Sequence, residues 1–151
     1  MQMNKPPFRA PPANLIKSLY RLGFGPIIGR FILLLTTTGR KSGLPRVTPL
    51  QYEVVNGAIY IGSARGTKAD WFRNILANPC VQVQVKSRIF EGRADAITEV
   101  SRIADFLEYR LKQHPRMLGM ILKSEGLPAA PSRAELEEYA QRLAMVIIRP
   151  K

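Results

Sequence analysis

A short loop rich in glycine and basic residues is the first place where the residue types suggest chemistry. The loop Gly39–Gly43 reads GRKSG and offers two glycines, two cations and one hydroxyl, and Arg46 follows three residues later. Successive backbone N–H groups in a glycine-containing turn form a concave site for phosphate, and arginine adds bidentate contacts. The pattern therefore fits an anion site. A solvated basic hairpin turn fits it as well, and the spacing of a P-loop is absent.

A second loop of small residues reads GSARGT over Gly62–Thr67. It follows a predicted strand and leads into a predicted helix N-terminus, where the backbone can approach a ligand closely and the helix dipole favours anionic groups. A plain strand-to-helix connection is the alternative. Trp71 comes shortly afterwards, as a core residue or as one wall of a ligand site.

Residues that carry acid–base, nucleophilic or metal chemistry are scarce. The only histidine, His114, precedes Pro115 at a predicted helix end, and the only cysteine, Cys80, begins a predicted strand. We find no paired carboxylates, no Ser-His-Asp pattern and no metal-ligand spacing, so we predict no catalytic side chain and no metal. An enzyme built on this chain therefore needs a bound cofactor to bring the reactive atom.

The charge distribution indicates a polyanionic partner. The 151 residues carry a formal net charge of +12, and eight basic residues precede the first carboxylate, Glu53. This excess fits nucleic acid, an anionic membrane surface or a multiply charged small molecule, and charge alone does not choose among them. The single cysteine, the missing signal-peptide pattern and the lack of a bilayer-length apolar run predict a cytoplasmic setting.

Strands must frame both loops. About six are predicted from β-forming residues and period-2 alternation, at 30–38, 46–55, 58–64, 80–86, 88–97 and 143–150. Asn56-Gly57 predicts a type I′ hairpin turn between the second and third of these strands. Pro49 cannot donate to a strand ladder, which predicts an edge or a bulge.

Helical periodicity interrupts the strands. Thr67 and Asp70 resemble a capping box, and the face that follows holds Trp71, Phe72, Ile75 and Leu76 before Asn78-Pro79 ends the helix. A second helix follows Thr98 with an apolar stripe of Val100, Ile103, Ala104, Leu107 and Leu111. A short Met-rich segment ends at Gly126, and a capping box over 132–135 opens a further helix.

Strands with inserted helices and no βαβ alternation predict an α+β fold, built as an antiparallel barrel with peripheral helices. The prolines of residues 1–12 predict an extended arm, and we expect residues 13–151 to form a single domain. Within that domain, residues 13–22 predict a short amphipathic basic helix. It packs on its own domain or, as the alternative, contacts an anionic membrane surface.

Three segments together resemble the deazaflavin (coenzyme F420)-dependent nitroreductase family. They are LLTTTGRKSGLPRVTPL (34–50), GSARG (62–66) and WFRNILANPCVQVQVK (71–86), in the family's order and spacing. The likeness covers residues 31–96. It implies a split β-barrel, related to FMN-binding barrels, and an oxidoreductase that uses reduced coenzyme F420.

The resemblance also implies the site residues. It assigns the phosphate and oligoglutamate tail to 40–42, the ribityl chain and deazaflavin to 46–49, and the ring system to 62–66 and Trp71. The cofactor-binding residues so implied are Arg40, Lys41, Ser42, Gly43, Arg46, Val47, Thr48, Pro49, Gly62, Ser63, Ala64, Arg65, Gly66 and Trp71. By position relative to Pro115, it places a substrate pocket near His114, Met117 and Met120, where methionines make the pocket apolar and adaptable.

The expected activity is hydride transfer from reduced F420 to an electrophilic small molecule: an activated alkene, a quinone or a nitro compound. One alternative is a split-barrel oxidoreductase that binds FMN, although the basic loop favours the longer and more negatively charged deazaflavin. The other is a non-enzymatic basic module for nucleic acid or an anionic membrane. No RNP or helix-turn-helix pattern appears, so no nucleic-acid partner is predicted. The protein is expected to be a monomer or a homodimer, with peripheral membrane contact through the N-terminal helix left open.

Overall fold

The computed structural model describes residues 32–151, so the predicted arm (1–12) and basic helix (13–22) lie outside the described residues. In the described part of the chain, seven strands form one antiparallel sheet. They are β1 (Ile32–Thr38), β2 (Pro45–Gln51), β3 (Glu53–Val55), β4 (Ala58–Ser63), β5 (Cys80–Val85), β6 (Arg88–Ile97) and β7 (Ala144–Pro150). The helices are α1 (Asp70–Ala77), α2 (Val100–Gln113), α3 (Pro115–Ser124) and α4 (Arg133–Ala140), with a 3₁₀ turn at Gly66–Lys68. The α+β prediction is confirmed.

The seventh strand arises from a break at Tyr52, inside what the sequence predicts to be one strand. The sheet order is β2-β1-β5-β6-β7-β4-β3, so β2 and β3 lie at opposite edges. Only Tyr52 separates them in sequence, and one residue spans at most about 3.6 Å. The sheet must therefore curl until its two edges meet, which produces the barrel.

Apolar side chains from the inner face of the strands fill this barrel, and α1 supplies Trp71, Phe72 and Ile75 to the same cluster. The predicted helix start at Thr67 is wrong, because Thr67 lies within the 3₁₀ turn and Ala69 caps α1 without a side-chain hydrogen bond. Leu76, predicted to be buried, is 60% exposed. It lies outside the buried face because that face centres between Trp71 and Ile75 and includes Asn74.

A second apolar cluster covers the other face of the sheet. Helices α2, α3 and α4 pack there against residues that include Ile97, Met145 and Ile147. The capping box at Ser132 is confirmed at the start of α4. The turn prediction is also confirmed, since Asn56 and Gly57 both have positive φ (51° and 80°). Pro49 lies on an edge strand, as predicted.

Candidate functional site

The basic loop between β1 and β2 is closed by its own hydrogen bonds. The Gly39 N–H donates to Leu44 O and the Gly43 N–H donates to Gly39 O, each with a donor–acceptor distance of 2.8 Å. Ser42 Oγ accepts from the Leu44 N–H at 3.1 Å. A Cβ at Gly39 would lie 2.6 Å from Ser42 Oγ and 3.5 Å from Arg46 Nε. A side chain at position 39 would therefore displace the Ser42 hydroxyl, and the side chain of Arg46 lies close to the same point.

These bonds limit the backbone groups that can meet an anion. The N–H groups of Gly39, Gly43 and Leu44 are used within the loop, and that of Arg40 donates to Asn74 Oδ1. Within residues 32–151, the N–H groups of Lys41 and Ser42 have no such partner. Two successive amides, rather than the whole loop, are thus available to an anion.

Arg40 is anchored to α1. Its Nη1 donates to Asn74 Oδ1 at 2.9 Å and its Nη2 to Asp70 Oδ1 at 3.0 Å. Asn74 is buried, and its Nδ2 donates to Thr37 Oγ1 at 3.1 Å on β1. Arg40 thus fastens the basic loop to α1, and its charge is partly matched by Asp70.

Side chains from the loop, β2 and α1 line one cleft of about 490 Å³. The lining residues are Gly39, Arg40, Lys41, Ser42, Arg46, Val47, Thr48, Asp70, Trp71 and Asn74. The hydrogen bond and charge of Arg40 lower the pKa of Asp70, and the charges of Arg65 and Arg73 lower it further. The cleft and its rim therefore carry more positive than negative charge, as an anion site needs.

The second predicted loop is rigid and partly internal. Ser63 Oγ donates to Gly66 O at 2.8 Å, and both residues are buried. Gly66 has φ +61°, and a Cβ there would lie 2.7 Å from Arg142 O, so the glycine is required by packing. Gly62 and Ala64 are exposed.

Gly62, Ser63 and Ala64 line a second concavity, a pocket of about 150 Å³ under α2, α3 and α4. Its other lining residues are Gln51, Ile103, Phe106, Leu107, Arg110, Leu118, Ile121, Leu122, Tyr139, Leu143, Ala144 and Met145. The lining is mostly apolar, and among the lining residues that the structure describes Arg110 is the one with a formal charge at neutral pH. Burial lowers the pKa of Arg110, while the carboxylate of Glu53 opposes that shift.

The three residues predicted for a substrate pocket lie beside this pocket and do not line it. Met120 is 74% exposed, Met117 packs partly against the helical cluster, and His114 Nε2 lies 2.9 Å from Glu53 Oε1. From α3, the residues that line the pocket are Leu118, Ile121 and Leu122. Gly43, Pro49, Arg65 and Gly66, predicted for the cofactor, line neither concavity.

Sequence reasoning missed Asn74 and Arg110. Arg110 is three residues after Leu107 and seven after Ile103, a position where the apolar stripe of α2 should continue. A charge at such a position was the available signal. Asn74 likewise occupies the buried face of α1 between apolar neighbours.

Strand β2 joins the two concavities. Arg46, Val47 and Thr48 line the cleft, and Gln51 at the end of the same strand lines the pocket. A strand rises about 3.4 Å per residue, so Thr48 and Gln51 are separated by roughly 10 Å along β2. The two concavities therefore adjoin neighbouring parts of the same strand.

Comparison with known proteins finds matches in sequence and in fold. The sequence model of the F420H(2)-dependent quinone reductase family matches residues 20–117, well over half of the chain. An F420-H2 dependent reductase, FDR-A, is 25% identical with a TM-score of 0.54, over 80% of this chain and 95% of its own.

Two further solved structures share the fold. A putative pyridoxamine 5'-phosphate oxidase from Listeria innocua is 13% identical with a TM-score of 0.54, over 91% of this chain and 92% of its own. A protein solved as a domain-swapped dimer is 20% identical with a TM-score of 0.54, over 92% of this chain and 100% of its own. The fold is thus the predicted split β-barrel. Among residues 32–151, no helix has the length and apolar character to cross a bilayer.

Proposed function

We propose a function from one premise: the chain belongs to the F420H(2)-dependent quinone reductase family, and it is an oxidoreductase whose family depends on the reduced deazaflavin coenzyme. The proposed activity is reduction of an electrophilic small molecule: a quinone, an activated alkene or a nitro compound. The coenzyme supplies a hydride when it is bound. One observation supports the proposal above all: residues of β2 line the basic cleft, and Gln51 at the end of the same strand lines the apolar pocket.

The cleft fits the anionic tail of the coenzyme. Lys41 and Arg46 are exposed cations beside the amide groups of Lys41 and Ser42, which have no hydrogen-bond partner among residues 32–151. Together these groups bind phosphate and carboxylate oxygens. Arg40 holds the loop on α1 through Asn74 and Asp70 and contributes positive charge. The cleft therefore needs no rearrangement of its loop to receive an anion.

The mouth of the pocket suits a flat ring, and its interior of about 150 Å³ suits a small acceptor. Gly62 and Ala64 are exposed at its mouth, where small side chains let a ring approach the backbone. Apolar residues of α2 and α3 form the opposite wall and exclude water from the acceptor. The chain's own contribution is thus to bind, orient and desolvate the reactants.

Binding of the oxidised coenzyme, followed by its fluorescence, tests the proposal. Wild type should bind coenzyme F420 more tightly than FMN. The double variant Lys41→Ala/Arg46→Ala should weaken F420 binding about 150-fold or more, because two hydrogen bonds to charged groups contribute about 1.5–3 kcal/mol each. The control Lys112→Ala/Lys123→Ala removes the same charge from exposed positions on α2 and α3 and should bind as wild type does.

Each other outcome contradicts the proposal in a defined way. Tighter binding of FMN than of F420 would favour FMN as the cofactor. Equal losses of F420 affinity in the two double variants would mean that the net charge of the protein, and not the cleft, determines binding. Binding of neither coenzyme below millimolar concentration would reject the proposal. A nucleic-acid binder would lose affinity by about a thousandfold over a few-fold rise in salt, whereas binding of the coenzyme should fall far less.

A further inference from the structure

Arg110 is a cation on an apolar helix face, in the wall of the pocket. Its side chain is 14% exposed, and Phe106, Leu107 and Leu118 line the pocket around it. Its guanidinium carbon lies 5.8 Å from the centre of the Phe106 ring. Burying a charge is costly unless the charge is paired, so a position of this kind calls for a reason.

Residues on either side of the strand break at Tyr52 fix the orientation of this guanidinium. Its Nη2 donates to Gln51 Oε1 at 3.1 Å, and its Nε lies 3.6 Å from Glu53 Oε1, a charge contact longer than a hydrogen bond. The same Glu53 oxygen also contacts His114 Nε2. Within residues 32–151, Nη1 donates to no other group. The guanidinium is thus held at one side and has donors left for a ligand.

The other polar side chains that line the pocket, Gln51, Ser63 and Tyr139, carry no positive charge. The hydroxyl of Ser63 already donates to Gly66 O. Burial raises the pKa of Tyr139, so its hydroxyl stays neutral, and Arg142 stacks on its ring at 5.0 Å. Arg110 therefore provides the strongest positive potential in the pocket.

We propose that Arg110 binds an oxygen atom of the acceptor and stabilises the negative charge that develops there during reduction. This inference rests on the proposed function. It narrows the substrate class to planar acceptors whose carbonyl or nitro oxygen is conjugated with the carbon or nitrogen being reduced. An acceptor without such an oxygen gains nothing from Arg110.

The electron balance explains the role. A quinone that accepts a hydride gains two electrons and one proton and becomes a hydroquinone monoanion, while the reduced coenzyme is oxidised. A proton from water then completes the hydroquinone. The negative charge of the monoanion is delocalised onto oxygen, and a fixed cation in a dry pocket stabilises it more than water-exposed charge would.

Equilibrium binding of redox-inert probes tests this without turnover. Wild type should bind 1-naphthoate, a planar carboxylate, more tightly than the neutral 1-methylnaphthalene. In Arg110→Met, affinity for 1-naphthoate should fall about 10- to 100-fold, and affinity for 1-methylnaphthalene should change less than about threefold. The control Arg102→Met removes an exposed cation from the same helix and should leave both affinities unchanged. Equal effects of Arg110→Met on the two probes would overturn the inference.

A second variant guards against misfolding. Removing Arg110 alone leaves the carboxylate of Glu53 with less compensation, so Arg110→Met/Glu53→Gln removes both charges. It should fold and show the same loss of 1-naphthoate affinity. In turnover with a quinone, kcat/KM should fall about 100- to 1000-fold while F420 binds as tightly as in wild type. If the double variant binds F420 normally and its kcat/KM is unchanged, the role of Arg110 is rejected and the proposed function is not. If the wild type does not bind F420, the proposed function is rejected.

Discussion

At the residue scale, the buried amide of Asn74 decides how the basic loop is presented. It accepts from both the backbone and the guanidinium of Arg40 and donates to Thr37, so one side chain links β1, the loop and α1. Arg40 is therefore committed to neighbouring groups, and the cations left for a ligand are Lys41 and Arg46. Arg40 and Lys41 thus have different roles, because among residues 32–151 Arg40 donates hydrogen bonds to α1 and Lys41 does not.

The pKa of Asp70 depends on its ion pair with Arg40. Because Arg40 lowers the pKa of Asp70, the pair contributes stability above the ordinary carboxyl pKa of about 3.9. That contribution is lost as the pH falls through the lower, native value. In Arg40→Gln, NMR titration should show the pKa of Asp70 rising toward its ordinary value, whereas Arg102→Gln should leave it unchanged. An identical Asp70 titration in Arg40→Gln and wild type would show that the pair does not form.

A matched pair of glycine substitutions tests the packing of the second loop. Gly66→Ala should destabilise the fold by about 2 kcal/mol or more, since the left-handed conformation costs a non-glycine residue about 1–2 kcal/mol and the added Cβ meets Arg142 O. Gly119→Ala, within α3 and with open space around it, should instead stabilise by about 0.5–1 kcal/mol. Urea denaturation measures both, and a destabilisation of the same size in each would contradict this assignment.

At the scale of elements, a branched ion-pair network around Arg133 adds to the apolar packing that holds α4 against α2. Arg133 contacts Asp105 at 2.7 Å, Glu108 at 3.1 Å and Glu137 at 3.0 Å, and its Nη2 donates to Ser101 O. These carboxylates raise the pKa of Arg133 above its usual range. The attachment matters for the site because Tyr139 of α4 lines the pocket.

Arg133→Met should therefore lower the melting temperature, and the difference from wild type should shrink in 1 M salt, where exposed charges are screened within about 3 Å. Arg102→Met, which breaks only the 3.6 Å contact with Glu99, should cause a smaller change. Thermal unfolding at two salt concentrations measures both. A loss for Arg133→Met that is independent of salt would point to packing by its stem rather than to the ion pairs.

At the scale of the whole molecule, the curl of the sheet places the cleft and the pocket beside the same strand, β2. β2 and β3 close the barrel through Tyr52, which brings Gln51 and Glu53 against Arg110 of α2. The closure is thus also what positions the wall of the pocket. A ligand that spans the cleft and the pocket should bind only the folded barrel.

Ligand-linked stability follows from this geometry. At 100 times its dissociation constant, a ligand that binds only the folded state adds about 2.7 kcal/mol, which should raise the melting temperature by about 5–10 °C. We expect this shift with coenzyme F420. At the same concentration, the deazaflavin fragment without its phosphate and glutamate tail should give a clearly smaller one, because it leaves the cleft unfilled. Equal shifts in melting temperature for the two compounds would mean that the cleft does not bind the tail of the coenzyme.

Local patterns predicted the elements well and their partners poorly. The Asn56-Gly57 turn, the Ser132 capping box and the alternation of β5 depend on neighbours in the chain, and all are confirmed. The helix start at Thr67 failed because the packing of Gly66 against Arg142 imposes a 3₁₀ turn there. That contact joins residues far apart in sequence, so no local pattern reveals it.

The sequence by itself determined the α+β class and the two loops, and it predicted a bound cofactor, because these follow from residue types, from spacing and from the absence of a recognisable catalytic pattern in the sequence. The tertiary structure decided which cations remain available and which charge enters the pocket. Arg40 meets Asn74 across 34 positions, and Arg110 meets Gln51 across 59. Such partners are brought together only when the sheet curls and its edges meet, and their hydrogen bonds then fix the role of each cation.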